Sequence, residues 1–226
     1  IFTGCDPEST VPGFAGQIGS IMCRWFKEAG IKIVAISPDC NFANAVHADK
    51  WIPIKPNTDG ALYLAIAYLW IKAGTYDEKF LQTHCVGFDE FRRYVTGEED
   101  GVPKTPEWAE RITGVPTRVI KALARTWVKK RTSLALFFGG PKIRGPYSHE
   151  IARLEVICLA MQGLGKPGRQ LLRGFYTAAT GKNLAPIPQY PETTRSFVAS
   201  AFARYTVEAL SPLIVPKVLV ADAILN

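Results

Sequence analysis

The sequence predicts an α/β domain with a mainly parallel sheet and helices on both faces, Rossmann-like in plan, followed by part of a neighbouring domain. Three observations carry this. Short apolar runs at residues 31–36 and 132–138 are rich in β-branched or aromatic residues and read as buried strands. Amphipathic helices alternate with them, the order that builds parallel strands through right-handed crossovers. Strand-like runs, the opening Ile1-Phe2-Thr3 included, end in a glycine or a short polar loop, and ligands of open α/β sheets sit at that end.

The opening strand leads into Gly4-Cys5-Asp6-Pro7-Glu8-Ser9-Thr10, where a glycine lets the backbone turn close to a ligand and short polar side chains donate or accept. A helix over 14–29 follows, with Ile18, Ile21, Met22, Trp25 and Phe26 at helical spacing as a core stripe and Gly30 as its stop. The strand at 31–36 then closes a β-α-β unit. Ser37 to Gly60 is the stretch on which the chain is organised. It runs from one strand end to a second extended piece at 51–54, and Pro56-Asn57-Thr58-Asp59 then supplies a stop, a turn and a helix cap. Two strand ends and a helix start converge there. His47 and Asp49 lie in this connection, and a lone His beside a strand reads as a structural hydrogen-bonder rather than an acid or base.

The helix opened at Thr58-Asp59 carries Ala61, Leu62, Ala65, Ile66, Leu69 and Trp70 on a wide apolar face and ends at Gly74. Asp77 caps a short helix, 88–95 forms another, and 97–104 reads as a polar surface loop. Thr105-Pro106-Glu107 and Pro116-Thr117 start two more helices. The second turns Val119, Ile120, Leu123, Ala124, Trp127 and Val128 inward. The strand at 132–138 ends in Gly139-Gly140, and a helix from Ser148 with Ile151, Leu154, Ile157, Cys158 and Met161 inward runs to Gly163. After Arg169 the composition shifts to Pro, aromatic and small residues. The boundary is therefore placed between 1–168, the α/β domain, and 169–226, an irregular and helical start of an adjacent one.

The 226 residues suffice for one large domain or a domain and a half. A hydrophobic share of 47% and a charged share of 21% are those of a globular protein, and no window of about twenty residues is free of charge and Pro, so no membrane span is expected. The net charge of +7 favours anionic partners, a phosphate-bearing ligand as well as nucleic acid. No basic run with interleaved aromatics accompanies it, so nucleic acid is not expected as a partner. Cys5, Cys23, Cys40, Cys85 and Cys158 form no C-x-x-C pair and have no His at ligand spacing, which predicts reduced thiols and neither a zinc nor an iron–sulfur site. The chain opens without Met or signal peptide and reads as a piece of a longer one, with cytoplasmic and periplasmic locations both open.

Several ordered motifs resemble the molybdopterin oxidoreductase superfamily of the dimethyl sulfoxide reductase type. The loop from Gly4 to Thr10 is similar to its Gly-x-Asn-Pro-x-x-Ser/Thr loop, and Ser37-Pro38-Asp39 stands where the family has Asp-Pro-Arg. Ala48-Asp49 with Pro56-Asn57-Thr58-Asp59-Gly60-Ala61-Leu62 is similar to its Ala-Asp and Pro-Gly-Thr-Asp-x-Ala-Leu block. Tyr76-Asp77, Val86-Gly87-Phe88, Thr105-Pro106-Glu107-Trp108-Ala109, Ile112-Thr113-Gly114-Val115-Pro116 and Gly163-Leu164-Gly165-Lys166-Pro167-Gly168 follow in family order. Asp6 for Asn, Asp39 for Arg and Asn57 for Gly are departures. Together with Lys50-Trp51-Ile52-Pro53 and Gly145-Pro146-Tyr147 they resemble the branch of acetylene hydratase, pyrogallol transhydroxylase and the catechol dehydroxylases.

The resemblance implies a molybdopterin guanine dinucleotide cofactor carrying molybdenum or tungsten. It would be held by Gly4, Cys5, Asp6, Glu8, Ser9, Ser37, Pro38, Asp39, Pro56, Asn57, Asp59, Gly139, Gly140 and Arg144. A guanine edge offers side-by-side N–H donors, and a carboxylate at a helix start, Asp59, is a bidentate acceptor for it. Glycine turns at Gly4 and Gly139 admit a pyrophosphate, and Arg144 supplies donors to it. The resemblance also implies metal-ligating and iron–sulfur segments outside this chain, so that no catalytic or metal-ligating residue is assigned here. The implied partners are the remainder of the catalytic subunit and an iron–sulfur electron-transfer subunit. Two other readings remain: a nicotinamide-dinucleotide dehydrogenase domain, which needs a glycine fingerprint absent here and an acid at a strand end such as Asp39, and an interaction module binding an acidic partner through basic helices.

Overall fold

Five parallel strands form one sheet in the order β3-β2-β1-β4-β5: β1 Phe2–Thr3, β2 Val34–Ser37, β3 Lys50–Pro53, β4 Leu134–Leu136 and β5 Leu171–Arg173. The structure, a computed structural model, describes residues 1–7, 18–136, 140–143, 145–169 and 171–173, all within one unit of the chain, Ile1–Gly174. The strands predicted at 31–36 and 132–138 are present, beginning at Val34 and Leu134, and the parallel α/β class holds. Strand β5 was not predicted. It extends the sheet past residue 168, where composition alone placed the domain boundary, because it pairs with β4 through its backbone and carries little hydrophobic pattern of its own.

Consecutive residues of a strand point to opposite faces, and here they enter different cores. Leu134 and Ile36 join the larger core, while Ala135 and Phe2 join a smaller one with Cys5, Cys23 and Ile33. Both faces of the sheet are therefore covered. The smaller core is closed by α1, Ile18–Glu28, through Met22, Cys23 and Phe26. The stripe predicted for this helix is only partly inward: Ile21 and Trp25 are exposed, and Cys23, fully buried, takes the central position.

The larger core is built on α3, Asp59–Ala73, which packs against α5 Phe88–Thr96, α6 Pro106–Thr113, α7 Thr117–Lys129 and α9 Ser148–Met161. Residues Leu62 to Ala67 are all buried, so α3 is apolar all round, as a helix enclosed by others must be. Trp70 and Trp127 meet edge to face, with ring centroids 5.2 Å apart, on its α7 side.

Capping matches the sequence at most helix starts. Asp77 accepts from Phe80 N at 3.1 Å ahead of α4 Glu78–His84, and Thr105 accepts from Trp108 N at 3.2 Å ahead of α6. Thr58 differs: its hydroxyl donates to the Lys55 carbonyl at 2.7 Å and does not cap α3. A short helix not predicted, α2 Phe42–His47, occupies the β2–β3 connection and is capped by Asn41. Lys104 is not at the surface of its loop. It is buried with its ammonium on Asp100 and the Val102 carbonyl and 4.2 Å from the Tyr94 ring centroid.

Candidate functional site

Strand β1 lies between β2 and β4, so the chain leaves it in one direction toward β2 and β3 and returns on its other side with β4 and β5. Loops beyond the carboxyl ends of such a pair diverge and leave a crevice, which is where open α/β sheets bind ligands. Gly4, directly after β1, has φ +56° and donates its N–H to the Ile36 carbonyl at 2.7 Å. A Cβ on Gly4 would lie 2.4 Å from Pro141 Cδ. The turn after β1 thus touches α8, Gly140–Ile143, the short helix that follows β4. A Cβ on Gly145 would lie 2.0 Å from Asn57 Oδ1, so the segment after α8 meets the turn that starts α3. Asn57 holds φ +61°, a conformation that Asn tolerates better than most residues.

At this junction Asp59 opens α3. It is 2% exposed, and neither of its carboxylate oxygens has a hydrogen-bond partner among the described residues. Burial pushes its carboxyl up to about 6, with its own backbone N–H and then the Lys142 ammonium opposing and Glu155 reinforcing that rise. Beside it lies a buried polar cluster. Glu155 Oε1 accepts from Thr3 Oγ1 at 2.6 Å and from Tyr63 OH at 2.9 Å, and Lys142 Nζ stands 3.1 Å from the same oxygen. The cluster ties β1, α3, α8 and α9 together. Lys142 makes this approach as an ion pair without a hydrogen bond of normal geometry, so its donors are not used up among the described residues. The Tyr63 hydroxyl is pushed well up, first by burial and then by Glu155, and stays a neutral donor.

Of the predicted site residues, Gly4, Asn57, Asp59 and Gly140 come together here. Asp6 follows the Gly4 turn, partly buried, and Pro56 is exposed in the turn before α3. The Cys5 side chain packs in the smaller core. Ser37, Pro38 and Asp39 lie at the end of β2, where Ser37 Oγ donates to the Asp39 carbonyl at 2.6 Å and accepts from Asn44 Nδ2 at 2.6 Å. Pro38 and Asp39 are exposed. Glu8, Ser9, Gly139 and Arg144 lie outside the described residues. Asp49 is structural: it accepts from Ile33 N at 2.8 Å and Lys32 Nζ at 3.0 Å, and these, the backbone donor first, hold its carboxyl below the usual range. His47 is buried as the last residue of α2. Sequence reasoning missed Lys142, Glu155, Tyr63 and Thr3. The available signal was Glu155, a carboxylate four residues after Ile151 and three before Cys158 on the inward stripe of α9.

With this geometry in hand, the family-wide profile described as molybdopterin oxidoreductase matches residues 1–215. The chain is 42% identical over 174 residues to the pyrogallol hydroxytransferase large subunit of Pelobacter acidigallici, covering 76% of this chain and 20% of that protein. It is 31% identical over 215 residues to a trimethylamine-N-oxide reductase of Haemophilus influenzae, covering 93% of this chain and 25% of that one. In three dimensions it is similar to acetylene hydratase from Pelobacter acetylenicus, with a TM-score of 0.56, 23% identity, and 72% of this chain matched to 21% of that one. At that identity the structural match speaks for the fold. The chain thus spans a fifth to a quarter of the length of these proteins, and it belongs to the molybdopterin oxidoreductase family.

Proposed function

We propose that this chain holds the nucleotide arm of a molybdopterin guanine dinucleotide, two of which carry molybdenum or tungsten in the parent enzyme, and that Asp59 accepts the guanine edge. The family implies a molybdopterin cofactor with molybdenum; the dinucleotide form is the reading that the buried Asp59 supports. The observation that carries it is Asp59 itself, buried at the carboxyl end of a parallel sheet with neither oxygen bonded to another described residue. A buried carboxylate without donors costs several kcal/mol, and two parallel N–H donors from one base edge would remove that cost. The glycine contacts fit the same group: Gly4 and Gly145 leave no room for a Cβ, so backbone rather than side chain lines the crevice.

When bound, the cofactor's metal supplies the redox or Lewis-acid chemistry of the parent enzyme. This chain's own residues bind and orient: Gly4 shapes the turn beside the crevice, Asn57 sets the approach to α3, and Asp59 accepts. The parent enzyme would be an oxidoreductase or a member of the hydratase, transhydroxylase and dehydroxylase group, a reading that the trimethylamine-N-oxide reductase and pyrogallol hydroxytransferase relatives support. Its partners would be the rest of the catalytic subunit and an iron–sulfur subunit.

The test is calorimetric titration of the full-length protein, prepared without cofactor, with guanosine and adenosine 5′-diphosphates. The guanine nucleotide should bind tighter, and Asp59→Ala should cost about 1–3 kcal/mol of that affinity, about fivefold to 150-fold, as for bidentate base contacts elsewhere. Equal affinity for the two nucleotides, or an Asp59→Ala protein that binds unchanged, would contradict it.

A further inference from the structure

An acceptor at Asp59 is all that guanine recognition requires, yet the chain buries an ion pair against Tyr63, one turn further along the same helix. We propose that Lys142 is a positioning residue for the base: its ammonium keeps the Asp59 carboxyl ionised and able to accept with both oxygens, while Glu155 limits that effect by holding Lys142. The proposal rests on the guanine reading of Asp59 and extends it to two residues that recognition itself does not use.

Three features of the geometry lead here. No other described residue donates a hydrogen bond to Asp59, so before a ligand arrives its ionised form is favoured only by its own backbone N–H and by nearby charge. The described charges that act on it are Lys142 from α8 and Glu155 from α9, of opposite sign, and both are buried, where charges act more strongly than at the surface. Tyr63, one turn along α3 from Asp59, is neutral and commits its proton to Glu155. One further titratable group flanks the pair: burial pushes the Cys158 thiol up, keeping it neutral.

The form of Asp59 matters because the two differ in what they offer. Ionised, it presents two acceptors to two adjacent N–H groups; protonated, it presents one acceptor and sets an O–H against a donor. Binding below the titration of Asp59 must therefore release a proton, and affinity falls with pH there. Burial places that titration at about 6. The sign for each neighbour follows: losing the Lys142 charge moves the fall in affinity to higher pH, and losing the Glu155 charge moves it to lower pH.

The experiment is titration of the cofactor-free, full-length protein with guanosine 5′-diphosphate between about pH 4.5 and 8. Affinity should be level above the Asp59 titration and fall about tenfold per pH unit below it. Lys142→Met should move the half-loss point up by roughly one pH unit, Lys142→Arg should restore it, and Glu155→Gln, which keeps an acceptor for Thr3 and Tyr63, should move it down. Both substitutions break the same ion pair, so a merely structural role would weaken binding in both without opposite shifts, and that result would overturn the proposal. If Lys142→Met does not fold, the Glu155→Gln shift decides: downward supports, unmoved or upward overturns. Binding that depends on Asp59 with an unmoved half-loss point refutes the role of Lys142 alone. Wild-type protein that does not bind the nucleotide, or binds it independently of Asp59, refutes the guanine reading and this proposal together.

Discussion

The helical block from α4 to α7 and the carboxyl end of the sheet treat their carboxylates differently. In the block, Asp77 caps α4 and pairs with Lys166, Glu110 accepts from Thr117 N at 3.0 Å and Thr117 Oγ1 at 2.6 Å, and Glu107 meets Lys121 at 2.8 Å. At the sheet end, Asp59 starts α3 as Asp77 precedes α4, is more deeply buried, and finds no donor among the described residues. The Lys166 ammonium and then the Phe80 N–H hold the Asp77 carboxyl below its usual range, while burial holds the Asp59 carboxyl above its own. Pairing a carboxylate stabilises the fold, and leaving one buried and unpaired opposes it. The first arrangement serves structure, and the second makes sense when the missing donors belong to a ligand.

Removing the carboxylate that does serve structure within the site should give the largest loss. Glu155→Ala leaves the Lys142 ammonium and the hydroxyls of Thr3 and Tyr63 without their shared acceptor, and should lower stability by about 3–5 kcal/mol in chemical denaturation. A loss under about 1 kcal/mol would mean that the cluster is not the clamp between β1, α3, α8 and α9. Next comes Gly4→Ala, which puts a Cβ into the left-handed region and against Pro141. About 1–2 kcal/mol of stability should go through backbone strain alone, and nucleotide affinity should fall because the turn and α8 must part. Retained affinity would separate the Gly4 turn from the site.

The smallest effect belongs to the helical block. Asp77→Ala removes a cap and should cost about 1 kcal/mol, with guanine nucleotide binding unchanged. A binding defect there would erase the distinction between the two regions.

How far the sequence foretold this arrangement depended on whether a residue's partner was local. Asp77 and Thr105 were legible as caps because each reaches a backbone N–H three residues away. The turn at Asn57 was legible because turn geometry is local too. Lys142 and Glu155 were not: they meet across thirteen residues of chain, and each sits in a pattern that gives no hint of the other. Strand β5 was hidden for the same reason, being fixed by its pairing with β4 rather than by its own periodicity. The exposure of Trp25 shows the converse, since helical spacing marks a stripe but does not say which part of it meets the sheet.

The most direct test of the contrast is the sign with which two aspartates make stability depend on pH. Between about pH 4 and 6 the folded protein keeps a proton on Asp59 that the unfolded chain has released, so this group lowers stability as pH rises through that window. Asp77, held low, does the reverse: its contribution is present above its unfolded value and is lost as pH falls. Stability of the cofactor-free, full-length protein should therefore increase at pH 7 on Asp59→Asn and decrease on Asp77→Asn, with the Asp59→Asn gain vanishing by about pH 4. A destabilising Asp59→Asn at pH 7 would mean that the carboxylate is paired in the folded protein and is not held in reserve for a ligand.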